Sequence, residues 1–327
     1  VREADLEDMP TVLVTGNAGF IGSHLTERLL ALGHTVIGFD NFDPFYDPAI
    51  KRKNLAAVAA HARFSFVEGD LRRNDQVEAL FAGRRVDRIF HGAARAGVRP
   101  SLKDPLLYEE VNVRGTLHLL EAAVRHGVGN FVFASSSSVY GEQKKVPFSE
   151  ADPVDHPISP YAATKKACEL MCFTYHHLYR LPVTCLRFFT VYGPRQRPEM
   201  AIHAFTRAIA RGEPLALFGD GSARRDFTYI DDIIAGVIAA LDRPHPYEII
   251  NLGESQTIAL RDLIARLERL IGRPAIIRSL PAEPGDVPIT FADVTKAKAL
   301  LDYEPSTSIE RGLERFVAWH RAETAAG

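Results

Sequence analysis

Nowhere in the 327 residues does an apolar run approach the roughly twenty positions that a bilayer-crossing helix needs. The acidic opening VREADLEDMP also lacks the charged-then-apolar plan of a secretory signal, so the expectation is a cytoplasmic protein with no membrane partner. Cysteine is scarce. Cys168, Cys172 and Cys185 form an odd count in a long chain, which argues against a disulfide framework. Cys168 and Cys172 share a helix face, yet two thiols with no nearby His or further Cys make a poor zinc site; buried packing and no metal are expected. His176 and His177 are adjacent and so point to different helix faces. Positive charge is not in excess: 39 Lys and Arg against 41 Asp and Glu leave a net charge of −2 and no basic field for nucleic acid. Repeats and low-complexity tracts are missing as well.

The composition that is there, 46% hydrophobic and 24% charged, describes a globular chain with an ample core. Its length admits one large domain or two modest ones. From TVLVTG onward, short β-branched runs alternate with amphipathic stretches: FIGSHLTERLLALG, TVIGFDN, AIKRKNLAAVAAH, RFSFVEGDL, RVDRIFHGAA, a long helix around LYEEVNVRGTLHLLEAAVRHG, the strand NFVFASSSSVYG, the helix YAATKKACELMCFTYHHLYR and the strand VTCLRFFTVYG. Near-continuous apolar strands separated by helices predict an α/β fold, a doubly wound parallel sheet covered on both faces. After Pro194 the rhythm loosens, with helices expected over 200–211, 259–272 and 309–324 between short strands such as PLALFG. This predicts a dinucleotide-binding domain over residues 10–190 and a smaller mixed α/β substrate domain over 191–327. The segment 225–253 regains the strand-helix-strand pattern and is a candidate to return to the main sheet.

The first strand runs into Gly16, Gly19 and Gly22, with Phe20 and Ile21 between the last two, before a helix. Such glycines let a turn tighten and the backbone approach a pyrophosphate at the positive helix end. The spacing is GxxGxxG rather than GxGxxG, but the flanking strand and helix supply the context a dinucleotide site requires. Asp40 ends the second strand, 18 residues past Gly22, where a carboxylate can accept from both ribose hydroxyls and would repel a 2′-phosphate; NAD is therefore favoured over NADP. Asp40 and Asn41 could instead simply start a turn. Asp70 and Leu71 follow the third strand, where adenine would be flanked. Ala93 and Ala94 follow the fourth and keep side chains small along a dinucleotide.

The fifth strand delivers Ser135 to Ser138 at its carboxyl end, and SPYAATKK places Tyr161 and Lys165 one helical turn apart on one face. Alone, each is an ordinary polar loop or a solvated helix surface. Ser136, Tyr161 and Lys165 together after five such strands resemble the extended short-chain dehydrogenase/reductase family, over essentially the whole chain. A free phenol titrates near ~10, so a phenolate base at neutral pH needs about 4 kcal/mol of stabilisation, which a neighbouring ammonium and a positive nicotinamide can share. The resemblance implies Tyr161 as base, Ser136 on the developing alkoxide, and Lys165 also on the nicotinamide ribose. Family dehydratases and decarboxylases carry an acid just after the catalytic Ser or Thr; this chain has Ser137, which leaves return of the hydride, hence epimerisation.

RFFTVYGPRQRPEM and DNFDPFYDP look most like members that epimerise UDP-glucuronate at C4. That likeness implies that Thr190 and Arg197 contact the C5 carboxylate, with Ser137 and Ser138 nearby, and that Arg225 meets the diphosphate. Arg99 is a further candidate for the sugar or phosphate, and Asn112 for support of the nicotinamide side. Glu283 and Pro284 stand where related epimerases often carry a basic or amide group, which leaves Asp286 without a firm role. A 4-epimerase of neutral UDP-hexoses, a net dehydrogenase and a silent nucleotide-binding protein remain open beside this reading. The family commonly pairs through the long helices after the fourth and fifth strands, so a homodimer is expected.

Overall fold

The structure, a computed structural model, describes residues 9–281 and 287–325. Its first part comprises β1 (Thr11–Thr15), α1 (Phe20–Ala31), β2 (Thr35–Asp40), α2 (Pro48–Leu55), β3 (Phe64–Glu68), α3 (Asn74–Ala79), β4 (Arg88–His91), α4 (Val98–Lys103), α5 (Pro105–Tyr108), α6 (Gly115–Arg125), β5 (Asn130–Ser136), α7 (Pro160–Tyr179) and β6 (Val183–Phe188). Beyond these lie β7 (Thr190–Tyr192), α8 (Ala201–Arg211), β8 (Pro214–Phe218), β9 (Arg224–Arg225), β10 (Phe227–Tyr229), α9 (Ile230–Asp242), β11 (Tyr247–Leu252), β12 (Ile258–Ala259), α10 (Leu260–Ile271), β13 (Ile276–Leu280), α11 (Thr295–Leu301) and α12 (Ile309–Ala325).

Seven strands form one parallel sheet in the order β11-β6-β5-β4-β1-β2-β3, as the alternating pattern predicts. Every residue of β5 and β6 is buried. Successive strand residues face opposite sides, so Val12, Val14, Phe90 and Val132 enter one core while Leu13, Ile89, Phe131 and Phe133 enter the other. Apolar runs with no polar alternation follow from that double burial. The chain order reverses between β1 and β4, which opens a crevice at their carboxyl ends. Cys168, Cys172 and Cys185 are free thiols buried in the second core, and burial pushes the Cys168 thiol up to about 11.

Local structure departs from the expectations in three places. The stretch VTCLRFFTVYG is two strands rather than one: the Phe189 N–H still bonds Leu252, but the Thr190 N–H bonds Asp226, and β7 leaves the sheet to pair with β10. The long helix is interrupted by a wider π turn over Glu109–Arg114, between α5 and α6. AIKRKNLAAVAAH keeps its helix only to Leu55. Asp286 and Glu283 lie outside the described residues.

Candidate active site

A cavity of about 380 Å³ opens along the carboxyl ends of the central strands. At one end, Gly16 turns the chain with φ +73°, and a Cβ there would stand 2.8 Å from the Ala93 nitrogen. A Cβ on Gly22 would meet the Gly16 carbonyl oxygen at 2.1 Å. The turn thus leaves a bare backbone cradle at the start of α1, lined by Gly16, Gly19, Phe20, Ile21 and Gly22. Among cofactors this fits a dinucleotide, whose pyrophosphate needs close backbone approach at a helix N-terminus.

Asp40, nearly buried at the end of β2, accepts the backbone N–H of Ala18 at 3.2 Å and of Phe42 at 2.9 Å. Burial raises its pKa, an effect the Lys51 ammonium only partly offsets. Asn41 donates to Asp70 at 3.3 Å. Burial pushes the Asp70 carboxyl up, but the Arg72 side chain, at 2.6 Å, wins and holds it below the usual range. Leu71, Ala93 and Ala94 line the same wall, and the Ala93 N–H is tied to Thr15 Oγ1 at 3.2 Å.

The other end is built from side chains. Ser136 Oγ accepts the Ser138 N–H at 3.1 Å and bonds its hydroxyl at 3.1 Å, so the short 3₁₀ turn after β5 turns Ser136, Ser137 and Ser138 to the cavity. Ser135 is engaged elsewhere, donating at 2.7 Å to Glu169, which is itself forked onto buried Arg187 at 2.8 Å. Helix α7 starts where Ser159 caps the Ala162 N–H at 3.1 Å and Pro160 takes the first turn. That start puts Tyr161 and Lys165 on the cavity wall. Lys165 is buried, and its Nζ donates to the Ala134 carbonyl at 2.6 Å while lying 4.8 Å from the Phe133 ring centre. Tyr108 meets the Tyr161 ring edge-on at 6.2 Å. Thr190, Arg197 and Met200 close the far side.

Three predicted residues lie off the lining. Asn112 is buried within the π turn, bonded to the Arg95 backbone at 2.8 and 3.0 Å and to Thr164 at 3.0 Å; Thr164 in turn bonds the Tyr161 carbonyl at 2.8 Å. Arg99 stacks on the Phe218 ring at 3.9 Å. Arg225, on β9, donates to the Arg224 carbonyl at 2.9 Å, while Asp231 pairs with Arg315.

The cavity also holds residues that no spacing singled out. Lys51 is buried beside Asp40, with its Nζ 4.8 Å from the Tyr46 ring centre. Phe45 lies between two guanidinium groups, Arg95 at 5.0 Å and Arg197 at 5.6 Å, with Arg95 ion-paired to Asp43. The one sequence signal for Lys51 is its place four residues before Leu55, on the face that α2 buries.

The model of the NAD dependent epimerase/dehydratase family matches residues 12–253. A UDP-glucuronate 4-epimerase of Thermodesulfobacterium geofontis is 47% identical over 310 residues, covering 94% of this chain and 95% of that protein. The crystal structure of UDP-glucuronic acid 4-epimerase from Bacillus cereus, in complex with UDP-glucuronic acid and NAD, matches with TM-score 0.90 and 39% identity over 96% of this chain and 99% of that one. A UDP-glucose 4-epimerase from Thermotoga maritima with UDP-glucose matches with TM-score 0.89 and 34% identity, over 96% and 99%.

Proposed function

The chain belongs to the NAD dependent epimerase/dehydratase family, and from that premise we propose that it interconverts UDP-glucuronate and UDP-galacturonate by oxidising and re-reducing C4. The observation that carries this reading is one cavity holding both a backbone cradle for a dinucleotide and, at its other end, Ser136, Tyr161 and Lys165 beside Thr190 and Arg197.

NAD, when bound, supplies the acceptor and then the donor for the hydrogen on C4. The turn Gly16–Gly22, with Phe20 and Ile21, holds the pyrophosphate, Asp40 the adenosine ribose, and Asn41, Asp70 and Leu71 the adenine side; Ala93 and Ala94 leave room between them. Lys165 reaches the nicotinamide ribose, and Asn112 supports that side through Thr164 and α7. Tyr161 takes the proton from the C4 hydroxyl and later returns it, while Ser136 hydrogen-bonds the oxygen as its charge develops. Between these events the keto sugar turns over within the cavity. Ser137 brings no acid to the neighbouring carbon, so elimination has no base.

A 4-keto sugar acid is a β-keto acid and loses CO₂ when the bond to its carboxylate stands perpendicular to the ketone. Arg197, Thr190, Ser137 and Ser138 hold the carboxylate charged and out of that alignment, a task suited to the planar guanidinium fork. Arg225 is the basic group assigned to the diphosphate and Arg99 a candidate for the sugar or phosphate, both from outside the cavity lining. In this reading residues 10–190, with 225–253 returning, form the cofactor domain, and 191–327 the nucleotide-sugar domain.

The working unit is read as a homodimer in the cytoplasm. What supports the pairing is an apolar surface on α5 and α7, where Leu106, Leu170 and Leu178 are 76%, 55% and 61% exposed. Among the described residues, no helix is long and apolar enough to cross a membrane.

Incubation of the purified protein with UDP-glucuronate, followed by separation of the sugar nucleotides, tests the assignment. UDP-galacturonate should accumulate to equilibrium without UDP-pentose, and UDP-glucose should turn over far more slowly. Preference for UDP-glucose would transfer the chain to the neutral-hexose epimerases.

A further inference from the structure

Arg197 rises from a backbone that has little freedom. Next to it, buried Gln196 donates through Nε2 to the Val191 carbonyl at 3.0 Å, and its own carbonyl accepts from His203 Nδ1 at 2.6 Å. Arg195 is tied to Ser23 at 3.2 Å and to Glu27 at 2.6 Å, and the Met200 N–H closes a turn onto the Arg197 carbonyl at 3.1 Å. The Arg197 side chain is 21% exposed, and its Nε lies 2.9 Å from Glu199 Oε1 in an ion pair. Glu199 is 42% exposed and stands outside the cavity lining.

A carboxylate released from that pair has somewhere to go. Helix α8 begins at Ala201, two residues on, with no acidic residue in its first turn and no cap from the Met200 side chain, although Gln196 Oε1 accepts the His203 N–H at 3.2 Å. The positive end of the helix dipole favours a nearby negative charge.

We propose that Glu199 is the resident counter-ion of Arg197 and tempers the preference for a charge at C5: the carboxylate of a sugar acid must take the guanidinium from Glu199, whereas a neutral hydroxymethyl group leaves the pair in place. The exchange swaps one carboxylate for another, so Arg197 stays paired with either sugar bound, and the competition from Glu199 weakens binding of the acid alone. Glu199 acts through Arg197 and is a positioning residue. This inference rests on Arg197 receiving the sugar acid and deepens that reading.

The test compares wild type with Glu199→Gln, and with Glu199→Ala as a second variant, in KM and kcat for UDP-glucuronate and in inhibition by UDP-glucose. Removing an exposed competing ion pair should lower KM for UDP-glucuronate about two- to fivefold, with a smaller change in kcat and no matching gain in UDP-glucose binding. A rise in KM for the acid, a parallel shift for both sugars, or new UDP-pentose product would overturn the proposal and make Glu199 a structural brace for Arg197. A wild type that prefers UDP-glucose would instead overturn the reading beneath it. The two failures are therefore separable.

Discussion

The two ends of the cavity are made of different material. At the dinucleotide end the surface is largely backbone from the first strand-helix-strand unit, packed so closely that a Cβ on Gly22 would stand 2.1 Å from a carbonyl oxygen. At the sugar end it is side chains from separated stretches: Ser136 to Ser138 after β5, Tyr161 and Lys165 on α7, Thr190 and Arg197 near β7, and Phe45 from the loop after β2. Backbone offers one solution to binding a pyrophosphate, and that solution has little chemical choice in it. Side chains on a fixed frame can be exchanged singly, so under the proposed function the choice of sugar belongs to the second end. The same division explains how relatives that act on UDP-glucuronate and on UDP-glucose share one backbone.

The sharpest way to separate the two ends is Tyr161→Phe, which removes one oxygen from the sugar end and nothing from the cradle. Turnover should fall about 10³-fold, within the range for loss of a positioned acid–base group, while NAD stays bound after purification. Loss of the dinucleotide in this variant would show that the ends are not independent. Next in size is Arg197→Ala. Loss of a charge-assisted bond to the carboxylate should lower kcat/KM for UDP-glucuronate about ten- to a hundredfold and release some UDP-pentose, as the acid is freed to align with the ketone. Undiminished epimerisation with no pentose would remove Arg197 from the account.

A smaller effect lies outside the cavity, where a buried and a half-buried carboxylate are treated differently. Glu169 is forked onto Arg187, whereas Glu254 faces Asp232 and Asp226 with one oxygen buried and no hydrogen-bond partner. Burial first, and those two acids second, push Glu254 from 4.5 up to about 8. The folded chain then holds a proton that the unfolded chain has released, so this group's contribution to stability is full below about 4.5 and is lost as pH rises toward about 8. Glu254→Gln should flatten that decline and raise Tm by about 1–3 °C at the alkaline end, with no gain at the acidic end. Thermal scans from about pH 5 to about pH 9 would reveal it; an equal shift at both ends would mean that packing, not ionisation, is responsible.

Sequence made the cradle legible because its features are local: a strand, three glycines and a helix, then a carboxylate at the end of the next strand. Tyr161 and Lys165 were legible as a pair for the same reason, since helical spacing alone sets them on one face. Non-local features were not. The break after Phe188 depends on β10, whose partner residues begin at Phe227, and nothing in VTCLRFFTVYG marks it. The π turn over Glu109–Arg114 hides inside a periodic helical pattern, although it is what brings Asn112 to the Arg95 backbone and Thr164. Lys51 reads as a surface lysine until α2 is docked beside Asp40. The roles assigned to Thr190 and Arg197 came from likeness rather than spacing, as expected at an end built from scattered side chains.

The central claim is that one carbon loses and regains its own hydrogen inside one cavity. UDP-glucuronate carrying deuterium on C4, converted by the purified protein in ordinary water and analysed by mass spectrometry, tests it directly. The account predicts UDP-galacturonate that keeps the deuterium at C4. Product with solvent hydrogen at that position would contradict it.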